Sequence, residues 1–153
     1  MGVFDSAPRI TPFLWFDNNA EEAVEFYMSV FRDSRRLGGL RTAESPSGKA
    51  LTVAFELDGQ RFTALNGGPH FKFNEAVSFV VRCDSQAEVD EYWAKLSAGG
   101  SEGQCGWLKD KFGLSWQIVP KQLPELIRNQ KAMDAMLKMK KINLGELERA
   151  AKD

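Results

Sequence analysis

One side chain in this sequence can exchange protons near neutral pH. His70 is the only histidine, and its imidazole is therefore a candidate general acid or base. It follows Gly67-Gly68-Pro69, a sequence that is typical of a surface linker and can carry the ring over a ligand site. The alternative is a loop histidine that hydrogen-bonds only to backbone, because the sequence shows no partner for it.

Cys105 is a candidate nucleophile and lies in a glycine-flanked strand. Lys109 can favour its thiolate, and a pair with His70 is conceivable, although nothing in the sequence brings the two together. Interior packing is the alternative for this cysteine. The charged run at 109–111 is typical of a turn. Alternatively, Asp110 can orient a ligand or His70.

The composition excludes several classes of protein. The 153 residues, 43% hydrophobic and 27% charged, suit one globular domain over residues 1–153. The 20 basic and 21 acidic residues nearly cancel, so no general field would attract nucleic acid or a membrane. Two cysteines are too few for a disulfide scaffold, and charges interrupt every apolar run that could span a bilayer. We expect a cytoplasmic protein.

The elements that must position these residues follow a repeated pattern. Strands are predicted at 10–17, 36–43, 50–57 and 61–65, and again at 76–83, 104–108 and 114–119. An amphipathic helix follows the first strand of each half, capped by Asn18 or Asn19 and by Asp84 or Ser85. A shift of about 66 positions aligns the two helices, which indicates an internal βαβββ repeat. The modules cover about 8–66 and 75–120, and a Met-rich helical tail covers about 121–153.

Four distinctive motifs are FDNNAEEAVEFY at 16–27, GGPHFKFN at 67–74, CGWLKDKFGLSWQIVP at 105–120 and AMLKMKKI at 135–142. They resemble the PhnB-like group of the vicinal oxygen chelate superfamily, which includes glyoxalase I, bleomycin-resistance proteins and extradiol dioxygenases. The group often carries the label 3-demethylubiquinone-9 3-methyltransferase-like. The resemblance implies an α+β fold in which two βαβββ modules form a curved eight-stranded cup, with C-terminal helices and frequently in a homodimer.

In metal-using relatives, the first and fourth strands of each module supply one ligand each, typically His, Gln or Glu. The resemblance places these positions at Pro12, Thr63, Ser78 and Gln117. Proline offers no side-chain donor, neutral hydroxyls bind divalent ions poorly, and one glutamine cannot fix a coordination sphere. We therefore expect neither a metal site nor another cofactor.

The methyltransferase label implies S-adenosylmethionine, which the usual methyltransferase fold holds with a glycine-rich turn between a strand and a helix. No such turn is present in the sequence. The glycine pair at 38–39 lies inside a strand, the pair at 67–68 precedes a proline, and the pair at 99–100 ends a helix. The residues do not support the reaction in the label.

Strand alternation predicts which side chains face a ligand. The predicted ligand-facing set is Pro12, Leu14, Phe16, Thr63, Leu65, Ser78, Val80, Ser115, Gln117 and Val119. The set predicted to pack on the helices is Phe13, Trp15, Phe79, Trp116 and Ile118.

The leading interpretation is that a metal-free cup binds a small, partly apolar metabolite, with hydrogen bonds from Gln117, Thr63 and Ser78. Metal-independent catalysis by His70 or Gln117 stays open. Further candidate ligand-binding residues are Pro12, Cys105, Trp107 and Asp110. The alternatives are a metal-dependent glyoxalase- or dioxygenase-type enzyme, and a drug-sequestering protein of the bleomycin-resistance type that stacks aromatic rings on tryptophans.

Overall fold

The computed structural model describes residues 6–46 and 48–153, and it confirms the α+β class and the two βαβββ modules. The first module contains β1 (Phe13–Phe16), α1 (Ala20–Val30), β2 (Ser34–Leu40), β3 (Thr52–Leu57) and β4 (Gln60–Asn66). The second contains β5 (Ser78–Cys83), α2 (Gln86–Ser97), β6 (Ser101–Glu102), β7 (Trp107–Lys109) and β8 (Ser115–Pro120). The tail contains α3 (Leu123–Leu126), α4 (Gln130–Met136) and α5 (Leu144–Lys152).

Each module forms its own four-stranded sheet, and the two strand orders are the same. The orders are β1-β4-β3-β2 and β5-β8-β7-β6. In both sheets the first strand runs parallel to the fourth, and the other neighbours are antiparallel. The chain divides into two compact units between Lys72 and Phe73. The matching orders confirm the internal repeat.

The core of the first unit lies between α1 and its sheet. Tyr27 of α1 stacks on Phe55 with ring centroids 6.4 Å apart, and Phe55 stacks on Phe62 at 5.3 Å. Leu14 and Phe16 of β1 are also buried, with exposed fractions of 6% and 3%. The apolar stripe of α1 therefore covers one face of the sheet and leaves the other face for different contacts.

The core of the second unit is built in the same way. Helix α2 packs on β7 and β8 with Val89, Trp93 and Leu96 buried. Trp116 and Ile118 of β8 are buried as well, which confirms the predicted direction of both side chains. Phe79 shares their face, since its ring lies 5.7 Å from that of Trp116.

The tail helices form a hydrophobic cluster within the second unit. Its buried members are Leu123, Ala132, Met136, Met139, Ile142 and Leu147. Val119 and Cys105 pack against this cluster, so the Met-rich stripe covers the end of its own sheet. The side chain of Gln86 ties the tail to α2, because it donates to the Ile142 carbonyl and accepts from the Leu144 N–H. None of the helices in the described ranges has the length and apolar run that a bilayer-spanning helix needs.

The two module helices begin with different caps. Ser85 accepts from the Glu88 N–H at 3.2 Å, as its position before α2 predicts. Asn19 occupies the cap position of α1 without a side-chain cap bond. The Ala20 N–H is instead bound by the side chain of Asn66, from the end of β4, at 2.9 Å.

Candidate functional site

One face of the second sheet brings polar and aromatic side chains together in two adjacent rows. Paired residues on neighbouring strands present their side chains on the same face. The register gives a row of Ser78, Ser115 and Lys109 and a row of Val80, Gln117 and Trp107. These six residues are called the polar face below. It lies opposite α2, because the residues that alternate with it on β8 are the buried Trp116 and Ile118.

The first predicted pair of site residues meets on this face. The Gln117 Nε2 donates a hydrogen bond to the Ser78 Oγ at 3.0 Å. Both side chains are half-buried. The bond uses only part of the capacity of an amide and a hydroxyl, so each group can also bind a ligand.

Ser115 lies beside this pair and is the most informative residue of the polar face. Only 1% of the residue is exposed, and its hydroxyl has no hydrogen-bond partner within the described ranges. Leaving a buried hydroxyl unpaired costs about 1–3 kcal/mol. Buried polar groups in proteins nearly always have a partner, so this hydroxyl is a candidate for a hydrogen bond to a group from outside the chain.

An open hollow of about 190 Å³ adjoins the polar face. Its lining consists of Glu75, Ser101, Gly103, Trp107, Leu108 and Lys109. The Lys109 Nζ forms an ion pair with the Glu75 carboxylate. The hydrogen bond from Lys109 lowers the pKa of Glu75, so this carboxylate is charged at neutral pH.

In the first unit, the β1 side chains face the opposite way from the sequence prediction. Phe13 pairs with Thr63 and shares its face, and Phe13 is 54% exposed. Leu14 and Phe16 are buried against the helix side. The predicted ligand-facing role of Leu14 and Phe16, and the predicted core role of Phe13 and Trp15, are therefore wrong.

The cause is one additional residue between β1 and α1. Phe13 pairs with Thr63 as Val80 pairs with Gln117, but the helix cap follows six residues after Phe13 and five after Val80. Asn18 takes up the extra length with a φ of 87°, a conformation that asparagine tolerates better than most residues.

Pro12 is consequently not the structural counterpart of Ser78. Continuing the β1 alternation places Thr11 on the face of Phe13, where Ser78 would fall, and Pro12 on the other face. Pro12 contributes to the sheet through its backbone, because its carbonyl accepts from the Thr63 N–H at 3.0 Å. Thr63 itself is buried, with 6% exposed.

His70 belongs to an aromatic cluster around Trp15. The Trp15 ring meets Phe71 at 4.8 Å and His70 at 6.4 Å, both edge-on, and its indole N–H donates to the Gly68 carbonyl. A side chain at Gly67 would meet the indole at 2.4 Å, so the linker can follow this path only with glycine there. The linker places His70 beside Trp15, whose side chain shares a sheet face with Thr63.

Cys105 precedes β7 in the second unit. It adopts a φ of 59° and donates its backbone N–H to the Met139 carbonyl at 2.8 Å. Its side chain is half-buried against the tail cluster. The packing alternative fits this location, and Cys105 and His70 belong to different compact units.

Asp110 holds the turn between β7 and β8. Its carboxylate accepts from the N–H groups of Phe112 and Leu114 and from the indole of Trp116, at 2.8, 3.1 and 2.9 Å. Only 2% of the residue is exposed. The geometry corrects the ligand-binding prediction, because both carboxylate oxygens already accept hydrogen bonds from the chain itself.

The residues at the four ligand positions do not fit a divalent metal. With Thr11 in the place of Pro12, the four residues Thr11, Thr63, Ser78 and Gln117 offer neutral oxygens. The Gln117 amide is also engaged by Ser78. Hard cations need carboxylates in addition to such groups, and softer ones need imidazole or thiolate. Within the described ranges, no group of three or more His, Cys, Asp or Glu side chains is placed to hold a metal ion.

Part of this site has no signal in the sequence. Strand alternation predicts the face of Ser115 but no role for it, because unpaired burial is a tertiary property. The sequence indicates Lys109 only as a neighbour of Cys105 or as part of a turn. Glu75 carries no sequence signal, since it reaches Lys109 past an intervening strand.

The paired modules and their sheet order define the class of the protein, the vicinal oxygen chelate fold. The fosfomycin resistance protein FosX from Listeria monocytogenes, in a structure with Mn(II) and sulfate, shares this fold at 16% identity and a TM-score of 0.55. The alignment covers 80% of this chain and 97% of that one. A protein from Pseudomonas aeruginosa aligns at 20% identity and a TM-score of 0.63, over 75% and 98% of the two chains.

A narrower match identifies the family. Residues 8–119 match the model described as 3-demethylubiquinone-9 3-methyltransferase, and the chain belongs to this family. A Bacillus cereus protein described by the same words and as a PhnB protein is 33% identical, with a TM-score of 0.68. That alignment covers 74% of this chain and 99% of the Bacillus chain. None of the curated proteins compared with the chain matches it.

The structure does not fit the S-adenosylmethionine that the family description implies. The connections from β1 to α1 and from β5 to α2 are Asp17–Asn19 and Asp84–Ser85. Neither connection contains the glycines that let a backbone approach a cofactor closely at a helix N-terminus. No methyl-transfer step follows from these residues.

Proposed function

We propose that the second module binds a small, partly aromatic metabolite on its polar face without a metal. The buried and unpartnered hydroxyl of Ser115 carries this proposal. A ligand group that bonds to this hydroxyl removes the cost of its unpaired burial, and this gain adds to the binding free energy.

The surroundings of Ser115 define the ligand further. Gln117 and Ser78, joined by their hydrogen bond, offer an amide and a hydroxyl to an uncharged polar group such as a carbonyl. Trp107, in the same row as Gln117, offers a half-buried indole to an apolar or aromatic body. The ligand is thus a ring that carries a carbonyl or amide group.

Amide and hydroxyl groups bind and orient a ligand but exchange no protons near neutral pH. The proposal is therefore binding. His70, the candidate acid or base, lies in the other compact unit beside Trp15.

Benzamide is a suitable probe because it combines one ring with one amide. We expect a titration in the presence of EDTA to shift the NMR signals of the Gln117 side-chain amide and the Trp107 indole in a saturable way. A requirement for added Mn²⁺ or Zn²⁺ would favour the metal-dependent alternative, and the absence of saturation would contradict the proposal.

Ser115→Ala gives the sharper test, because its two effects have opposite signs. Removing an unpaired buried hydroxyl should keep or raise the free energy of unfolding by up to about 1 kcal/mol. The same change should weaken benzamide about 5- to 10-fold, the value of one hydrogen bond. Ser97→Ala, on α2 away from the polar face, is the matched control and should leave the Kd of benzamide unchanged. Loss of stability in Ser115→Ala would show that the hydroxyl has a structural role instead.

A further inference from the structure

The ion pair between Glu75 and Lys109 occupies an unusual place in the second sheet. Glu75 precedes β5, whereas Lys109 lies on β7, and β8 separates these two strands. Ser115 is the β8 residue that pairs with both Ser78 and Lys109. The ion pair therefore spans the sheet beside the unpartnered hydroxyl.

The ion pair is also easy to open. The side chains of Lys109 and Glu75 keep 40% and 63% of their surface exposed. Exposed ion pairs contribute little to stability, since water solvates both charges almost as well when they separate. A competing carboxylate can thus replace that of Glu75 with little effect on the fold.

We propose that Lys109 makes the site selective for small aromatic carboxylates, and that Glu75 pairs with Lys109 when the site is free. This inference rests on the proposed binding function and names its ligand class. The ligand carboxylate replaces that of Glu75 at the Lys109 ammonium and, unlike the Glu75 carboxylate, also accepts a hydrogen bond from the Ser115 hydroxyl. The ring lies in the hollow against Trp107.

The size of the hollow suits a single ring. A volume of about 190 Å³ is below the roughly 300 Å³ at which pockets for drug-sized ligands begin. One ring with one carboxylate fits this space.

The test compares benzoate with benzamide, which have the same shape but differ in charge. The measured quantity is the ratio of their two Kd values, by calorimetry at neutral pH. Glu75→Gln removes the competing carboxylate and should shift the ratio about 5-fold toward benzoate. Lys109→Met removes the cation and should shift it about 10-fold toward benzamide, as expected for one charge-assisted hydrogen bond.

Two control variants remove the same charges elsewhere in the second unit. Glu125→Gln on α3 and Lys121→Met after β8 change the net charge equally, and neither residue lines the hollow. Neither should move the ratio. If the controls move it as much as the test variants do, the preference reflects net charge and the inference is overturned.

The remaining outcomes separate the two proposals. If benzamide binds but Glu75→Gln leaves the ratio unchanged, the binding function stands and the role of the ion pair is overturned. If neither probe binds to any variant, the proposed function fails and the inference fails with it.

Discussion

The two modules share one strand order, but they carry different side chains on the sheet face opposite their helix. The second module presents Ser78, Ser115 and Gln117 there, with a tryptophan and an ion pair at the rim. The first module presents aromatic side chains, and the glycine linker packs its own residues onto Trp15. A duplicated topology therefore does not imply a duplicated site, because the chemistry depends on which residues the register turns toward that face.

The spacing between the first strand and the helix differs by one residue between the modules, and the difference lies in the turn that joins the two elements. The first helices of the modules align with each other, whereas the first strands are displaced by one position through Asn18. Because side chains alternate along a strand, one residue exchanges the buried and the exposed set completely.

Deleting Asn18 should destabilise the first module more severely than changes to its helix cap or its turns. Without this residue, β1 must either detach from α1 or shift its register, which exposes Leu14 and Phe16. Losing the burial of two large apolar side chains costs about 3–6 kcal/mol of unfolding free energy. Urea unfolding monitored by circular dichroism measures the effect.

Asn18→Gly is the control for this deletion, because it keeps the length and suits the φ of 87°. It should change stability by less than about 1 kcal/mol. A deletion variant as stable as this control would contradict the role of the extra residue.

The second contrast concerns the helix caps. Asn66, 4% exposed, accepts from the Ala20 N–H and donates to the Ala50 carbonyl, both at 2.9 Å. Asn66→Ala leaves two buried backbone groups unpaired and should cost about 2–4 kcal/mol in urea unfolding. Ser85→Ala removes an exposed local cap of α2 and should cost about 1 kcal/mol. Equal costs would show that the distant cap is no stronger than the local one.

The third contrast concerns the turns before the fourth strands. The first module closes its hairpin with Asp58 and Gly59, both at positive φ, whereas the second relies on the buried Asp110 carboxylate. Asp110→Asn can turn an amide N–H toward the indole N–H of Trp116, and it should cost about 1–3 kcal/mol. Asp58→Asn, at an exposed position, should be neutral within about 0.5 kcal/mol. Thermal unfolding of both variants, with near-ultraviolet circular dichroism of Trp116, checks the comparison.

The sequence by itself determined the α+β class, the repeat, the family and one face of the second module, but it did not predict the short strand β6. Those properties depend on short-range signals, namely helical spacing, strand alternation and the local cap at Ser85. In the second module, the positions counted back from the helix are correct because the turn between β5 and α2 contains no extra residue. Ser78 and Gln117 therefore meet where the alternation predicts.

Only the tertiary structure decided four other features. They are the side of the sheet to which the β1 side chains point, the helix cap from Asn66, the ion pair of Glu75 with Lys109 and the unpaired hydroxyl of Ser115. Each of these depends on residues that are distant in the chain and adjacent in the fold. An additional residue in a turn, or a partner on a separate strand, does not change the periodic pattern of the sequence. Strand pairing and packing set these features, and they decide which side chains each module turns away from its helix.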